Sequence, residues 1–428
     1  MKSKDELKNS ESFCIMPWVH LATEPTGEVK ICCLAKDRIR DENNKRYNLG
    51  YTDVKEIYNS AHLKDIRKRM FNGEKIAQCS HCWKEEDAGG ISQRKGFTNE
   101  WLDNHHDLIN LINLSAIDDY SVDYAPMYYD FRFGNLCNLK CRSCGSLSSS
   151  QLNKEYKELK EKYPNTFFDD SGGYYDSIND WYQTDQFKNN VYDNIESIRK
   201  IYVTGGEPTL IEENYRIMEK LVELDKAKDV VVSFNTNMTN LRNDFYDLIV
   251  NFKQVEMCIS IEGYGDIQEY LRYPSKWKQL DKNIRKLASL PSHVMIFAVP
   301  VIQNVNLEYA TDFWNYIESI NTEHGCYRIR LLPIVLDSPQ MLDFTYLPKD
   351  YKLECLEKMQ KFVDGAPNLQ NDPHFMGRFN HIQTQCHLDS YDPEKLQVFK
   401  KFTTILDAQR GQSLQLVNPS LQRIIDNV

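Results

Sequence analysis

A chain of 428 residues with 41% hydrophobic and 27% charged residues has the composition of a globular protein, with room for one large domain and a smaller one. Its formal net charge of −10 argues against nucleic acid as the main partner, because phosphate binding needs concentrated Lys and Arg. No run approaches the ~18 apolar residues of a membrane span, and the polar start MKSKDELKNSE lacks an apolar core, so neither span nor signal peptide is read and a cytoplasmic location is expected.

Taken in chain order, residues 1–100 form a small Cys-rich α+β domain. VHLATEPTGEVKICCLA reads as a hairpin around a Thr-Gly turn, and DVKEIYNSAHLKDIRKRMFNG as a helix stopped by Asn-Gly. Residues 101–125, rich in Asn and Asp, read as a connector. From residue 126 strands and helices alternate: MYYDFRF, a Cys loop and a helix from about Ser148; SIRKIYVTGGEP and a helix over 211–225; DVVVSFNTN and a helix near 241–251. QVEMCISIEG with a helix around 277–289, HVMIFAVPVIQ with a helix on LEYATDFWNYIESI, and YRIRLLPIV complete six units. The pattern predicts an α/β fold, a partial (β/α)6 TIM-like barrel over 126–340, followed by a helical segment over 341–428. Residues 163–185, aromatic, acidic and Gly-containing, read as a loop insertion, either a lid or a surface excursion.

Twelve cysteines in a chain read as cytosolic point to metal before disulfide, since eight of them are grouped. Cys137, Cys141 and Cys144 make C-x3-C-x2-C on the loop after the first barrel strand, where such folds place their sites. Three thiolates leave one coordination position open on an iron–sulfur cluster, whereas structural zinc takes four. One unit later Gly205, Gly206, Glu207 and Pro208 form a turn whose glycines allow close backbone approach.

This pairing resembles the signature of radical S-adenosylmethionine (SAM) enzymes. The resemblance implies a 4Fe–4S cluster on Cys137, Cys141 and Cys144 that binds SAM, reductive cleavage of SAM to a 5′-deoxyadenosyl radical, and abstraction of a hydrogen atom from substrate. It implies that the Gly205–Pro208 turn receives the SAM amino group. Asn235 and Asn237, Ser260 and Glu262, and Arg272 are offered to the SAM ribose and carboxylate, and Gln303, Asn304 and Asn306 to adenine or ribose. Ser143 stands where the family has an aromatic or apolar residue. Cys14, Cys32 and the knuckle Cys79/Cys82 form a full four-thiol set similar to the twitch or SPASM auxiliary-cluster domain, placed here ahead of the barrel; Cys33 is the alternative to Cys32. The set suits a second 4Fe–4S cluster or structural zinc. WKEEDAGGISQRKGFTNEW, directly after Cys82, is offered to the interface between domains.

Cys258 is a candidate hydrogen donor or an inert core thiol. Arg328 and Arg330 share a strand face, where one could clamp an anion or pair internally. Cys326, Cys355 and Cys386 read as structural. The likeness implies a radical SAM enzyme acting on a peptide or protein, with an auxiliary cluster assisting oxidation and an electron donor such as flavodoxin or ferredoxin. A dehydrogenase of a carbohydrate or other small molecule, and a non-catalytic zinc or iron–sulfur protein, are the alternatives.

Overall fold

The computed structural model describes residues 1–164, 167–168 and 180–428. The main elements in chain order are β1 (His20–Thr23), β2 (Val29–Lys30), α1 (Ala61–Phe71), α2 (Ser80–Asp87), α3 (Gln93–Asn104), α4 (Asp107–Ile117), β3 (Tyr128–Arg132), α5 (Ser150–Lys162) and α6 (Asp185–Tyr192). They continue with β4 (Lys200–Thr204), α7 (Glu212–Glu223), β5 (Val231–Thr236), α8 (Asn243–Ile249), β6 (Gln254–Ile259), α9 (Asp266–Leu271), α10 (Trp277–Ala288), β7 (Val294–Ala298), α11 (Ala310–His324) and β8 (Ile329–Leu331). The C-terminal helices are α12 (Lys349–Asp364), α13 (Pro373–His387), α14 (Pro393–Arg410) and α15 (Pro419–Asp426). The six barrel strands are thus β3 to β8, each after β3 preceded by a helix, in the α/β class of a partial TIM-like barrel. Among the described residues no helix is long and apolar enough to cross a membrane.

The chain divides into two compact units. The first holds Met1–Asn135, Gly173–Ser233 and Asn251–Lys253. In it β1 pairs antiparallel with β2 and parallel with β3, and β3 pairs parallel with β4. Strand alternation sorts β3 into two faces. Tyr129 and Phe131 stack at 5.1 Å, and Phe131 stacks in turn on Phe133, whose ring meets Phe187 of α6. On the other face Tyr128 takes the rings of Phe97 and Trp101 from α3, which fixes the Cys-rich region onto the first barrel strand.

The second unit holds Leu136–Gly172, Phe234–Val250 and Gln254–Val428. There β6, β7 and β8 pair in parallel, with Met257, Ile296 and Ile329 buried on one face and Cys258, Phe297 and Arg330 in register on the other. Around Trp314 of α11 pack Phe375 and Phe379 of α13, so the C-terminal helices cover an aromatic core.

Several boundaries differ from those read in the sequence. The stretch 101–125 is largely helical: Trp101, Leu102, Leu108 and Ile112 recur at helical spacing and are buried beneath its polar Asn and Asp residues. The helix read from Asp53 to Gly73 breaks at Asn59, and Ser60 caps the second part. The fifth and sixth strands each stop at a proline, Pro300 and Pro333, which cannot donate to the ladder. Their remainders, Val301–Ile302 and Ile334–Val335, pair as a separate parallel ladder. Of the insertion 163–185, residues 165–166 and 169–179 lie outside the described residues. Trp181 within it is buried and donates to the Pro25 carbonyl at 3.0 Å. Gly27 (φ +85°) lies so close to that indole that a Cβ would stand 2.6 Å from the ring.

Candidate functional site: two groups of thiols

In the second unit the C-x3-C-x2-C loop is tied down at each cysteine. The Ser150 hydroxyl lies 3.4 Å from both the N–H and the carbonyl of Cys137. Lys140–Cys141 pairs antiparallel with Arg272–Tyr273, and Cys144 N–H closes a turn on the Cys141 carbonyl. Ser149 binds the Leu139 carbonyl at 2.7 Å while capping α5. Cys137, Leu139 and Cys141 form one buried cluster, and Cys144 packs against it. Cys144 donates to the Cys141 sulfur, and that bond, outweighing burial, pulls the Cys141 thiol down to about 7. Two side-chain donors point at the group: Asn237 Nδ2 lies 3.9 Å from Cys137 Sγ, and Arg272 Nη1 lies 3.6 Å from Cys141 Sγ. Thiols held together under N–H donors and a buried guanidinium are suited to thiolate ligation, since both groups favour the charged sulfur.

Arg272 is positioned by Glu262, whose Oε1 accepts its Nε at 3.0 Å while Oε2 accepts the Val301 N–H at 2.6 Å. Burial disfavours the Arg272 charge, but Glu262 and the two thiols overcome it and hold the guanidinium above its ordinary pKa. Both carboxylate oxygens of Glu262 are therefore committed inside the protein. Asn306 donates to the Glu262 carbonyl at 2.7 Å and to the Val301 carbonyl at 2.9 Å, joining the exits of two strands. Gln303 and Asn304 are fully buried, yet both ends of the Gln303 amide and the Asn304 Oδ1 lack a partner. Such orphaned amides fit a ligand with donor and acceptor edges, as adenine and ribose have.

The other candidates in this unit take simpler places. Ser260 is partly exposed just beyond β6. Cys258 lies on the less buried strand face, within electrostatic reach of Arg378 from α13. Arg328 donates to four carbonyls at the end of α10 and beyond, Ala288 and Val294 at 2.7 Å each, Leu290 at 3.2 Å and Leu287 at 3.3 Å. Arg330 pairs with Asp372 at 3.0 Å. Cys355 and Cys386 are buried, and Cys326 is exposed.

In the first unit, the Gly205–Pro208 turn follows β4. Gly205 has φ +120°, and a Cβ there would stand 3.0 Å from the Gly134 carbonyl, so only glycine fits without strain. Glu207 is buried and accepts from the Thr209 N–H and hydroxyl, and Pro208 opens a short 3-10 turn.

The same unit encloses a cavity of about 30 Å³ lined by Cys14, Cys32, Cys79 and Cys82, with Met16, Gln93, Arg94 and Phe97 among its other walls. Burial pushes the Cys32 and Cys79 thiols up to about 12 and raises those of Cys14 and Cys82 as well. Four crowded thiols of this kind become thiolates only beside a cationic centre, which is the chemistry of a metal or cluster site. Cys33 is absent from the cavity wall and has Asp130, Arg132 and Lys30 as its charged neighbours. Among the described residues no three His, Cys, Asp or Glu side chains converge as the ligands of one metal ion. All twelve cysteines are free thiols.

Two buried arginines at these sites were not singled out in the sequence. Arg94, inside the stretch after Cys82, is fixed by Glu86 and by the carbonyls of Ser10 and Phe13. Arg142, between the second and third cysteines, lies 3.8 Å from the centre of the Tyr270 ring and pairs with Asp407. The only sequence signal for Arg142 was a cation next to a candidate ligand cysteine, and Arg94, twelve residues after Cys82, had none of that kind.

Residues 131–315 match the Radical SAM superfamily, and residues 14–83 match the iron-sulfur cluster-binding domain known as SPASM. The chain thus carries a radical SAM domain and, ahead of it, a SPASM-type iron–sulfur domain. The cofactors of these domains are a 4Fe–4S cluster with SAM and auxiliary iron–sulfur clusters. No curated protein matches the chain. Among solved structures, SuiB of Streptococcus suis bound to precursor peptide SuiA is 13% identical over 77% of this chain and 66% of that one, with a TM-score of 0.36. The structure of anSMEcpe with bound AdoMet and Cp18Cys peptide is 15% identical over 56% of this chain and 61% of that one, with a TM-score of 0.33. The chain thus spans less than two thirds of the length of each.

Proposed function

We propose that this protein is a radical SAM enzyme that takes a hydrogen atom from a peptide or protein substrate and passes the substrate's electron to an auxiliary cluster. The observation that supports it is the gathering of two thiol groups, three on the barrel loop and four around one cavity, in the two stretches that match the corresponding families. Cys137, Cys141 and Cys144 are the ligands of the SAM-binding cluster, and Cys14, Cys32, Cys79 and Cys82 those of the auxiliary one. The unpaired Gln303 amide and the Asn304 Oδ1 are the contacts for SAM in the second unit. The peptide substrate rests on the likeness to SPASM-type enzymes, and the cytoplasmic location on a full set of free thiols.

When bound, the cluster supplies one electron to cleave SAM and so generates a radical able to take a hydrogen atom. The residues of this chain prepare that event. Arg272 and Asn237 direct N–H donors at Cys141 and Cys137 and stabilise negative charge on sulfur. Glu262 holds Arg272 there, and Asn306 fixes the backbone at Glu262. At the auxiliary cavity, Phe97 closes one wall and also packs on Tyr128 of the first barrel strand, 6.2 Å between ring centres.

The test is to reconstitute the protein anaerobically, count iron and sulfide, and assay 5′-deoxyadenosine after adding SAM and dithionite. About eight irons are expected, falling to about four with cleavage abolished when Cys137, Cys141 and Cys144 are all changed to Ala. About four irons with one zinc would make the N-terminal site structural. No iron and no cleavage in the wild type would overturn the proposal.

A further inference from the structure

The four N-terminal thiols come from segments far apart in sequence, and one side chain joins them. Arg94, the second residue of α3, has a side chain only 3% exposed and lines the cavity of Cys14, Cys32, Cys79 and Cys82. Its Nη1 donates to the carbonyl of Ser10 at 3.0 Å and to that of Phe13, the residue before Cys14. Its Nε donates at 2.9 Å to Glu86, one turn along α2 from Cys82, and its Cζ lies 4.9 Å from the centre of the Trp83 ring. Ile15, just after Cys14, donates its N–H to the Thr98 hydroxyl of the same α3 at 3.3 Å. The start of α3 therefore clasps the Cys14 segment to the Cys79/Cys82 knuckle.

The charge of this clasp is asymmetric. Arg94 belongs to the cavity wall, whereas Glu86 stands outside it and meets Lys95 at 3.9 Å. The pair thus turns its positive end towards the thiols, in a buried medium where a fixed charge acts strongly. The N-terminus of α3 adds to it, since the Arg94 N–H donates to the Cys82 sulfur. Cys14 takes a backbone N–H from Met16, and Cys32 takes those of Leu34 and Ala35. For Cys79 the Arg94 charge alone opposes burial and the neighbouring thiols. A cluster on four thiolates is anionic and gains one more negative charge on reduction, so positive charge and N–H donors at its sulfurs favour the reduced state.

We propose that Arg94 sets the reduction potential of the N-terminal site, holding its ligand segments together and facing them with a fixed positive charge that favours uptake of the substrate's electron. The inference rests on the auxiliary-cluster reading above. One electron enters the site and its donor is oxidised by one; no bond forms or breaks between them. Arg94 acts through the thiols and is a positioning residue.

The experiment uses the full chain with Cys137, Cys141 and Cys144 changed to Ala, so that one cluster titrates, and adds Arg94→Gln, Arg94→Lys or Glu86→Gln to that parent. Each protein is reconstituted anaerobically, its iron is counted, and its midpoint potential is read by electron paramagnetic resonance during titration with dithionite. Arg94→Gln is expected to make reduction about tenfold less favourable or more, a fall of about 59 mV for one electron. Arg94→Lys, which keeps the charge, should stay within about threefold of the parent. Glu86→Gln should move the potential upward, because it leaves the Arg94 charge uncompensated. A merely structural clasp gives no shift, or shifts of one sign in Arg94→Gln and Glu86→Gln, and either result would overturn the proposal. If Arg94→Gln loses its iron, the other two variants decide: an upward shift in Glu86→Gln with Arg94→Lys near the parent supports the role, and any other pattern overturns it. If the parent does not fold, the titration is made with all cysteines present, where added SAM shifts the signal of one cluster only and so tells the two apart. Zinc in place of iron at the N-terminal site would instead refute the auxiliary-cluster reading, and the redox role with it.

Discussion

Changing Glu262 to glutamine isolates the charge that holds Arg272 against the Cys141 sulfur. Glu262 is 2% exposed; one oxygen accepts from Arg272 and the other from the Val301 N–H. Glutamine preserves the volume but replaces one oxygen by NH2, so one of these donors then faces another donor. Arg272 also loses its countercharge inside the protein. Removing one partner of a buried pair costs about 3–5 kcal/mol. The thiols beside Arg272 and the one retained acceptor put Glu262→Gln at the lower end, about 3 kcal/mol. With a urea slope of about 3 kcal/mol per molar, the unfolding midpoint should fall by about 1 M. Adding Arg272→Met removes the stranded charge, so the double variant should recover at least about 1 kcal/mol relative to Glu262→Gln alone. The measurement is the urea midpoint of the anaerobic, reconstituted protein followed by circular dichroism. A shift within about 0.2 M, or a double variant less stable than the single one, would refute the claim that the pair is a buried, coupled unit.

Three more outcomes are expected. Cys32→Ser should remove the iron of the N-terminal site, whereas Cys33→Ser should leave the iron content unchanged, because Cys33 lies off the cavity beside Asp130 and Arg132; equal losses would reject the cavity as the ligand set. Burial holds His20 neutral down to about 4, and its Nδ1 lies 2.8 Å from the Ile31 carbonyl. The unfolded imidazole takes a proton near pH 6.5, so its contribution to stability falls as pH drops from 6.5 towards 4, by about 2 kcal/mol at pH 5; the loss in urea midpoint between pH 7 and pH 5 should be smaller in His20→Gln than in wild type by that amount, while the half-buried His105 and His62 lose stability in both. Gly205→Ala should cost about 1–3 kcal/mol from its positive φ and its contact with the Gly134 carbonyl, against about 1 kcal/mol for Gly73→Ala, where nothing lies within 4 Å; equal costs in thermal unfolding would refute the close approach at Gly205.

The parts of the site legible in the sequence were those with short covalent spacing. Three cysteines within eight residues must lie near each other, and Gly205 carried its own explanation, since only a residue without a Cβ tolerates that φ and that neighbour. The strand-and-helix alternation was legible for the same reason, because burial on one face repeats with a local period. Legibility failed where one short-range cue masked another. Asn and Asp between residues 101 and 125 hid the end of α3, with buried Trp101, and the whole of α4, with buried Leu108 and Ile112. Prolines at 300 and 333 cut strands that hydrophobicity alone ran on. Glu262 is the sharper case. A polar residue at a strand end was offered to the cofactor, but its partner Arg272 lies ten residues on, beyond a helix, and the pairing emerges only when Arg272 is brought beside Cys141.

The C-terminal helices take that reasoning further. The match to the superfamily ends at residue 315, yet the cysteine loop depends on side chains beyond that point. Arg142 sits between two of the clustered cysteines with its side chain wholly buried, and it finds its countercharge on Asp407, 265 residues away. One turn on, Arg410 meets Glu155 of α5, both 1% exposed, and Lys140 of the loop reaches the same carboxylate at 3.3 Å. A buried cation without its partner would be costly, so a loop containing Arg142 is stable only in a chain that also supplies α14. The same helix supplies Phe402 to a cavity beside Cys144. The segment beyond the recognised domain is thus part of the cysteine site in two senses: it neutralises the loop from within and walls the cavity beside Cys144.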